Sequence, residues 1–326
     1  MILCKTPLRA SFLGGGTDFP EFFLKHSGAV LGSAIDKYVY HSVMPFHSKL
    51  FDYSVRIAYR QVECVKSVDE IQHAPFREVL KAAGIQKDVE ISLTSDLPSF
   101  SGLGSSSTFV VGMLNALMAF QGFAMPRLEL AYKAIEIERH RLKDAVGCQD
   151  QLFAAVGGLN LVEFFAEDNI VVHRLPLSRE RLNELQNSLL LFYTGIHRRA
   201  SQIEAKKIDN IHNLTDYLLE MRRLVDEGHK ALVGGGELSQ LGRLLDRSWQ
   251  LKRNLHGDVS TDTIDAMYHH AREAGALGGK ILGAGGGGFM LLFVPPERQA
   301  KVRSALAGYY EIEFKLNAPG TQIVHA

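Results

Sequence analysis

The sequence predicts an α+β protein of two packed units, and three observations carry that reading. Its 326 residues are enough for two cores, strand patterns dominate the first half, and long helical patterns with glycine breaks dominate the second. The pattern changes near Pro176, which divides the chain into 1–176 and 177–326. Residues 28–44 carry a strand pattern centred on Tyr38 to Val43, and 49–60 continue a sheet. Residues 89–94 alternate apolar and polar side chains, the period of a half-buried strand. Residues 109–120 are apolar nearly all round and predict a core helix too short to cross a membrane. An amphipathic helix over 128–143 and strands over 158–162 and 170–175 follow. Beyond the boundary come a strand at 189–194 and helices at 214–233 and 237–255, parted by Gly234-Gly235-Gly236. A helix runs from Asp262 to Gly278; strands at 280–282 and 289–294 flank a glycine run; 297–307 read as helical and 311–316 as extended.

Composition excludes several function classes. The chain is 46% hydrophobic and 22% charged, and 36 basic residues balance 36 acidic ones, so no net field draws it to nucleic acid or a membrane surface. Cys4, Cys64 and Cys148 are far apart and lack metal or disulfide spacing, which fits a reducing cytoplasm. The N-terminus lacks the apolar stretch of a secretory signal, and the 13 histidines show no metal-site order.

The most telling segment is Leu97-Pro98-Ser99-Phe100-Ser101-Gly102-Leu103-Gly104-Ser105-Ser106-Ser107, which joins a strand to the apolar helix. Its glycines let the backbone approach a ligand, and its serines stand where a helix start presents unpaired N–H groups, so phosphate fits there. No lysine follows Gly104, which argues against a Walker A loop; a serine-rich helix cap remains the plain alternative. In the next helix, Ala131, Ile135, Glu138 and Leu142 share one face, which places Glu138 in an apolar stripe. A carboxylate there needs a cation, a metal ion or a hydrogen-bonding network, and Arg139 and Arg141 are candidates for an ordinary ion pair. Asp150, in Gly147-Cys148-Gln149-Asp150-Gln151, reads either as a helix N-cap or as a proton acceptor.

Residues 283–288 satisfy G-x-G-x-x-G in form, but a strand follows rather than a helix, which defeats a dinucleotide fingerprint and leaves a tight turn, at a ligand-lined seam or plain. At the N-terminus, residues 7–18 place Arg9 and Asp18 around a flexible glycine hinge.

Together, residues 7–18, 98–107 and 280–289 resemble, in order, the three motifs of the GHMP kinase superfamily, and the resemblance covers essentially the whole chain. It implies an N-terminal domain like ribosomal protein S5 domain 2, a ferredoxin-like C-terminal domain, and ATP held between them. By motif position, Pro98, Ser101, Gly102, Leu103, Gly104, Ser105, Ser106 and Ser107 match the phosphate-holding segment, Ser106 and Glu138 the Mg²⁺ ligands, Asp150 the base, and Arg9 the arginine beside it. Asp18 falls at the sugar-holding position; Gly15, Gly16, Thr17, Gly285 and Gly286 are the further acceptor candidates. Galactokinases have Gly-Glu-His-Thr-Asp where this chain has Gly14-Gly15-Gly16-Thr17-Asp18, which argues against galactose. The pattern looks most like bacterial D-glycero-D-manno-heptose 7-phosphate kinases and the related L-fucokinase-type enzymes. The resemblance thus implies ATP-dependent phosphorylation of the anomeric hydroxyl to give the 1,7-bisphosphate, with another sugar-1-kinase activity or a non-catalytic sensor as alternatives. ATP and a sugar phosphate are the expected partners, a homodimer is allowed, and Arg198, Arg199, Lys252 and Arg253 are candidates to receive the remote phosphate.

Overall fold

The computed structural model describes residues 1–99, 101–196, 214–254 and 257–326. The first sheet is built around β1 (Ile2–Leu13) and β2 (Gly28–Pro45), linked by a short helix, α1 (Pro20–His26). Every residue of β1 from Thr6 onward is buried, so the alternation that marks a half-exposed strand is missing. What the sequence suggests is a flexible hinge is therefore, up to Leu13, a rigid central strand.

β2 pairs with β1 along most of its length, then divides its other edge between β5 (Val89–Ser95) and β6 (Leu159–Ala166). β3 (Val55–Ala58) lies parallel to β5, β4 (Val62–Val65) antiparallel to β3, and β7 (Asn169–Arg174) antiparallel to β6. Helix α2 (Ala74–Ala82) starts at a proline and buries Phe76, Val79 and Leu80. Against the sheet lie α3 (Ser105–Phe120), nearly buried as its composition requires, and α5 (Gln149–Val156). α4 (Arg127–Glu136) does not continue as the single helix predicted to 143. It widens at once into a π turn over Ile137–Arg141, where Leu142 N–H bonds the carbonyl of Ile137.

After α6 (Arg179–Asn187), the second sheet runs β11-β8-β10-β9, all antiparallel: β8 (Leu189–Tyr193), β9 (Gly278–Ile281), β10 (Phe289–Phe293) and β11 (Tyr310–Glu311). Its helices are α7 (Thr215–Val233), α8 (Ser239–Arg253), α9 (Asp262–Glu273) and α10 (Gln299–Ala305). β12 (Gln322–His325) then returns to pair with β1, so the end of the chain joins the first sheet rather than the unit the division at Pro176 gives it. One apolar cluster joins Leu8, Phe12 and Leu13 of β1 to Leu224 of α7, Leu245 of α8 and Phe289 of β10. The two units thus share a core. α7 comes so close to β1 that a Cβ on Gly228 would lie 2.3 Å from Leu13 Cδ1. Among the described residues no helix is long and apolar enough to cross a membrane.

Candidate active site

The seam between the units opens into a cavity whose first wall is the start of α3. Gly102 and Gly104 hold φ +81 and +76, a backbone region that disfavours side chains, and no side chain caps the helix. The unpaired N–H groups of the first turn therefore face the cavity, alongside Ser105, Ser106 and Ser107, and a helix N-terminus of this kind attracts anions.

The loop is held from behind by the second glycine run. A Cβ on Gly102 would lie 2.4 Å from the carbonyl oxygen of Leu282, and one on Gly283 would lie 2.6 Å from Gly102 Cα. Phe289 N–H bonds the carbonyl of Ser101 at 3.2 Å. The two runs interlock because neither carries side chains.

Arg9, only 4% exposed, reaches from β1 to this loop and to α5. Its Nε and Nη2 donate to Asp150 Oδ1 and Oδ2, each at 2.8 Å; Nη1 donates to the Gly102 carbonyl at 2.6 Å. Asp150 is not the cap of α5, a place held by Cys148; it stands in the first turn with its carboxylate toward the phosphate loop. Withdrawal from solvent pushes its pKa above the usual carboxylate value, Arg9 pulls against that, and nearby Asp18 adds to the rise. Burial wins, so Arg9 tempers the rise without reversing it.

Asp18 is held by Gly16 N–H at Oδ1 (2.9 Å) and Gln149 N–H at Oδ2 (3.2 Å). Gly147 lies so close that a Cβ there would come within 2.0 Å of Oδ2. Glu138, on the π turn, is fully buried. Ser107 Oγ donates to Oε1 at 3.0 Å and Gln151 Nε2 to Oε2 at 2.5 Å. Arg139 instead pairs with Glu21 and Arg141 with Glu136, so the network, not an ion pair, meets the need of Glu138. Burial pushes its pKa up to about 8 despite both hydrogen bonds.

The structure brings Arg9, Gly15, Gly16, Asp18, Gly102, Gly104, Ser105, Ser106, Ser107 and Asp150 to one cavity. Other expected residues stand elsewhere. Thr17 directs its hydroxyl to the carbonyls of Gly14 and Ala29, Ser101 and Leu103 are buried under the loop, and Pro98 is exposed off the cavity. Gly285 and Gly286 pack on Val259; of the same run it is Gly283 and Ala284 that line the cavity. Glu138 lies behind Ser107, and the hydroxyl it meets belongs to Ser107 rather than Ser106.

Of the four basic candidates, Lys252 lines the cavity and donates to the carbonyls of Ile281 and Gly283, whereas Arg253 pairs with Asp265. Arg198 and Arg199 lie outside the described residues. Lys280, the first residue of the third motif segment but not among the site candidates, also lines it and donates to the Phe12 carbonyl at 2.9 Å. Its place as the one charged residue in the short buried strand β9 is the available signal.

Comparison with known proteins shows the family. Models of the GHMP kinases N terminal domain and GHMP kinases C terminal match residues 71–158 and 229–312. The chain is 31% identical over 323 residues to the D-glycero-alpha-D-manno-heptose 7-phosphate kinase of Campylobacter jejuni subsp. jejuni serotype O:2, covering 94% of this chain and 93% of that protein. The chain belongs to the GHMP kinase family. Like other GHMP kinases it is a phosphotransferase that uses ATP, and among them it is a sugar kinase. A crystal structure of a D-glycero-D-manno-heptose 1-phosphate kinase from Bacteriodes thetaiotaomicron matches with a TM-score of 0.80 and 25% identity, covering 100% of both chains. A galactokinase from Lactococcus lactis shares the GHMP fold at 19% identity and a TM-score of 0.74, covering 99% of this chain and 95% of that one.

Proposed function

We propose that this kinase transfers the γ-phosphoryl group of ATP to the anomeric hydroxyl of D-glycero-D-manno-heptose 7-phosphate, giving the 1,7-bisphosphate. The observation that carries the reading is the Arg9-held Asp150 carboxylate beside the phosphate loop: a Cβ on Gly104 would lie 3.0 Å from Asp150 Oδ2. A base so placed can take the acceptor's proton while the helix start holds the phosphates. Burial favours that role, because a raised pKa brings a carboxylate nearer the operating pH. Arg9 fixes both Asp150 oxygens and ties them to Gly102, so base and phosphate loop move as one. Asp18, oriented by two backbone N–H groups, offers an acceptor to sugar hydroxyls, and Lys252 and Lys280 bring positive charge to the opposite wall.

The residues that would hold Mg²⁺ are Ser106 and Ser107, whose hydroxyls line the cavity, and Glu138 directly behind Ser107. Glu138 is a buried carboxyl met only by neutral donors, and with the two hydroxyls it offers hard oxygens of the kind this ion prefers. When bound, the ion would neutralise phosphate charge during transfer. Glu138→Gln should raise the Mg²⁺ concentration for half-maximal rate about tenfold, the usual scale for disturbing ligands or their supports. An unchanged Mg²⁺ titration would return Glu138 to a purely structural role.

The acceptor is tested by sugar-dependent ADP release across heptose 7-phosphate, heptose 1-phosphate, unphosphorylated heptose and L-fucose, with the product phosphate located by ³¹P NMR. Heptose 7-phosphate should give the highest kcat/KM; equal or better use of fucose would favour the fucokinase-type alternative.

A further inference from the structure

Of the three consecutive glycines Gly14, Gly15 and Gly16, the last two line the cavity, and the structure demands glycine only at the first and the third. Gly14 (φ +85) would bring a Cβ within 2.0 Å of the Ala29 carbonyl oxygen, and Gly16 holds φ +105. Gly15 has neither constraint. A Cβ there would meet nothing nearer than Ser11 Oγ and Gln149 Nε2, both at 3.9 Å. Neither backbone strain nor packing explains its bareness, and the space it leaves opens on the cavity.

The groups around that space are unsatisfied. Ser11 is 4% exposed and Gln149 9%, yet Ser11 Oγ and Gln149 Oε1 have no hydrogen-bond partner among the described residues, although both residues line the cavity. Buried polar groups are nearly always paired, so an orphaned Ser11 hydroxyl at the vacancy, and an orphaned oxygen on the Gln149 carboxamide whose Nε2 borders it, indicate a missing partner. The orphaned carboxamide oxygen needs a donor. A sugar hydroxyl supplies one, and a phosphate dianion does not.

We propose that Ser11, Gly15 and Gln149 form a specificity subsite that receives a hydroxyl of the acceptor's exocyclic arm, with the arm passing through the space left bare at Gly15. The proposal rests on the sugar-kinase reading above and deepens it: the arm is recognised by a neutral hydroxyl contact as well as by its charge. Gln149 precedes Asp150 and its N–H holds Asp18, so an acceptor engaged here is brought directly to the base.

The experiment compares kcat/KM for D-glycero-D-manno-heptose 7-phosphate and D-mannose 6-phosphate, whose arm is one CHOH unit shorter, in wild type, Ser11→Ala, Gln149→Met and Gly15→Val. The wild type should favour the heptose. Ser11→Ala and Gln149→Met should each cut that preference about tenfold through acceptor KM, since a site built for a hydroxyl loses discrimination when its partner is removed. ATP KM should hold. Gly15→Val should raise KM for the heptose more than for mannose 6-phosphate. The melting temperatures of Ser11→Ala and Gln149→Met should not fall, because their orphaned atoms contribute no internal bond. Retention of the wild-type preference in both variants, or melting lowered by several degrees, would overturn the subsite alone. A wild-type enzyme that uses neither sugar would overturn the acceptor reading and the subsite with it.

Discussion

The two walls of the cavity both depend on glycine, but for different ends. On the first wall, Gly102 and Gly104 expose the backbone of a helix start to an anion, and every carboxylate of the site stands on the same unit. On the second, Gly283 to Gly288 join two antiparallel strands, and the bareness of the run lets it press on the first loop; its charged contribution to the cavity is Lys252 and Lys280. The same composition thus serves chemistry on one side and closure on the other. What separates them is the element that follows: a helix offers unpaired N–H groups, a strand does not.

Breaking the first wall at its reactive group should have the largest effect. Asp150→Asn should lower kcat by roughly 10² to 10⁴, about 3 to 5 kcal/mol of barrier, while ATP affinity stays within about twofold. Steady-state kinetics with parallel ATP titration measure this, and a well-folded variant with wild-type turnover would move the proton acceptor elsewhere.

The interlock comes next. Gly102→Ala puts a side chain at φ +81 and against the Leu282 carbonyl, and should reduce stability by about 2 to 4 kcal/mol and raise ATP KM. Gly285→Ala, at φ +110 against Val259 and away from the cavity, should reduce stability but leave the ATP KM of the folded fraction unchanged. Equal effects on ATP KM would erase the distinction between the walls.

The core beneath the first wall supplies a pH-dependent effect. His41 is sealed between β2 and α3 beside Phe109 with neither ring nitrogen partnered among the described residues, and burial lowers its pKa to about 3. The unfolded chain takes up the proton near pH 6.5, and the folded one does so only near 3. Stability is therefore full above the unfolded pKa and should fall by up to about 1.4 kcal/mol per pH unit between those values. Urea titrations from pH 7 to 4 should show a shallower slope in His41→Gln; identical slopes would assign acid sensitivity to other groups.

How much of this was legible in the sequence follows from how local each signal is. The helix at Thr215–Val233, the break at Gly234 and the strand–loop–helix order around Gly102 are written in adjacent residues. β1 was not legible, because a strand buried on both faces has no alternation, nor was the return of β12 to β1 across almost the whole chain. In the site, Arg9, Asp18, Asp150 and Glu138 stood out by motif or by a misplaced charge. Thr17 and Thr108 look alike as hydroxyls in a sequence, and only the fold shows both bonded to backbone carbonyls. The π turn that carries Glu138 was hidden because it preserves an ordinary helical composition, and Ser107 rather than Ser106 meets the carboxylate for a reason of rotation about α3.

The central claim is that Asp150, tuned by burial against Arg9, is the base of the reaction. The pH dependence of kcat/KM for the acceptor tests it most directly, in wild type and in Arg9→Gln. Activity requires ionised Asp150, so the wild-type acid limb should lie above the ordinary carboxylate range. Loss of the arginine removes the influence that lowers the pKa and should move that limb to higher pH. An acid limb that stays in place when Arg9 is replaced, in a folded enzyme with measurable turnover, would contradict the account.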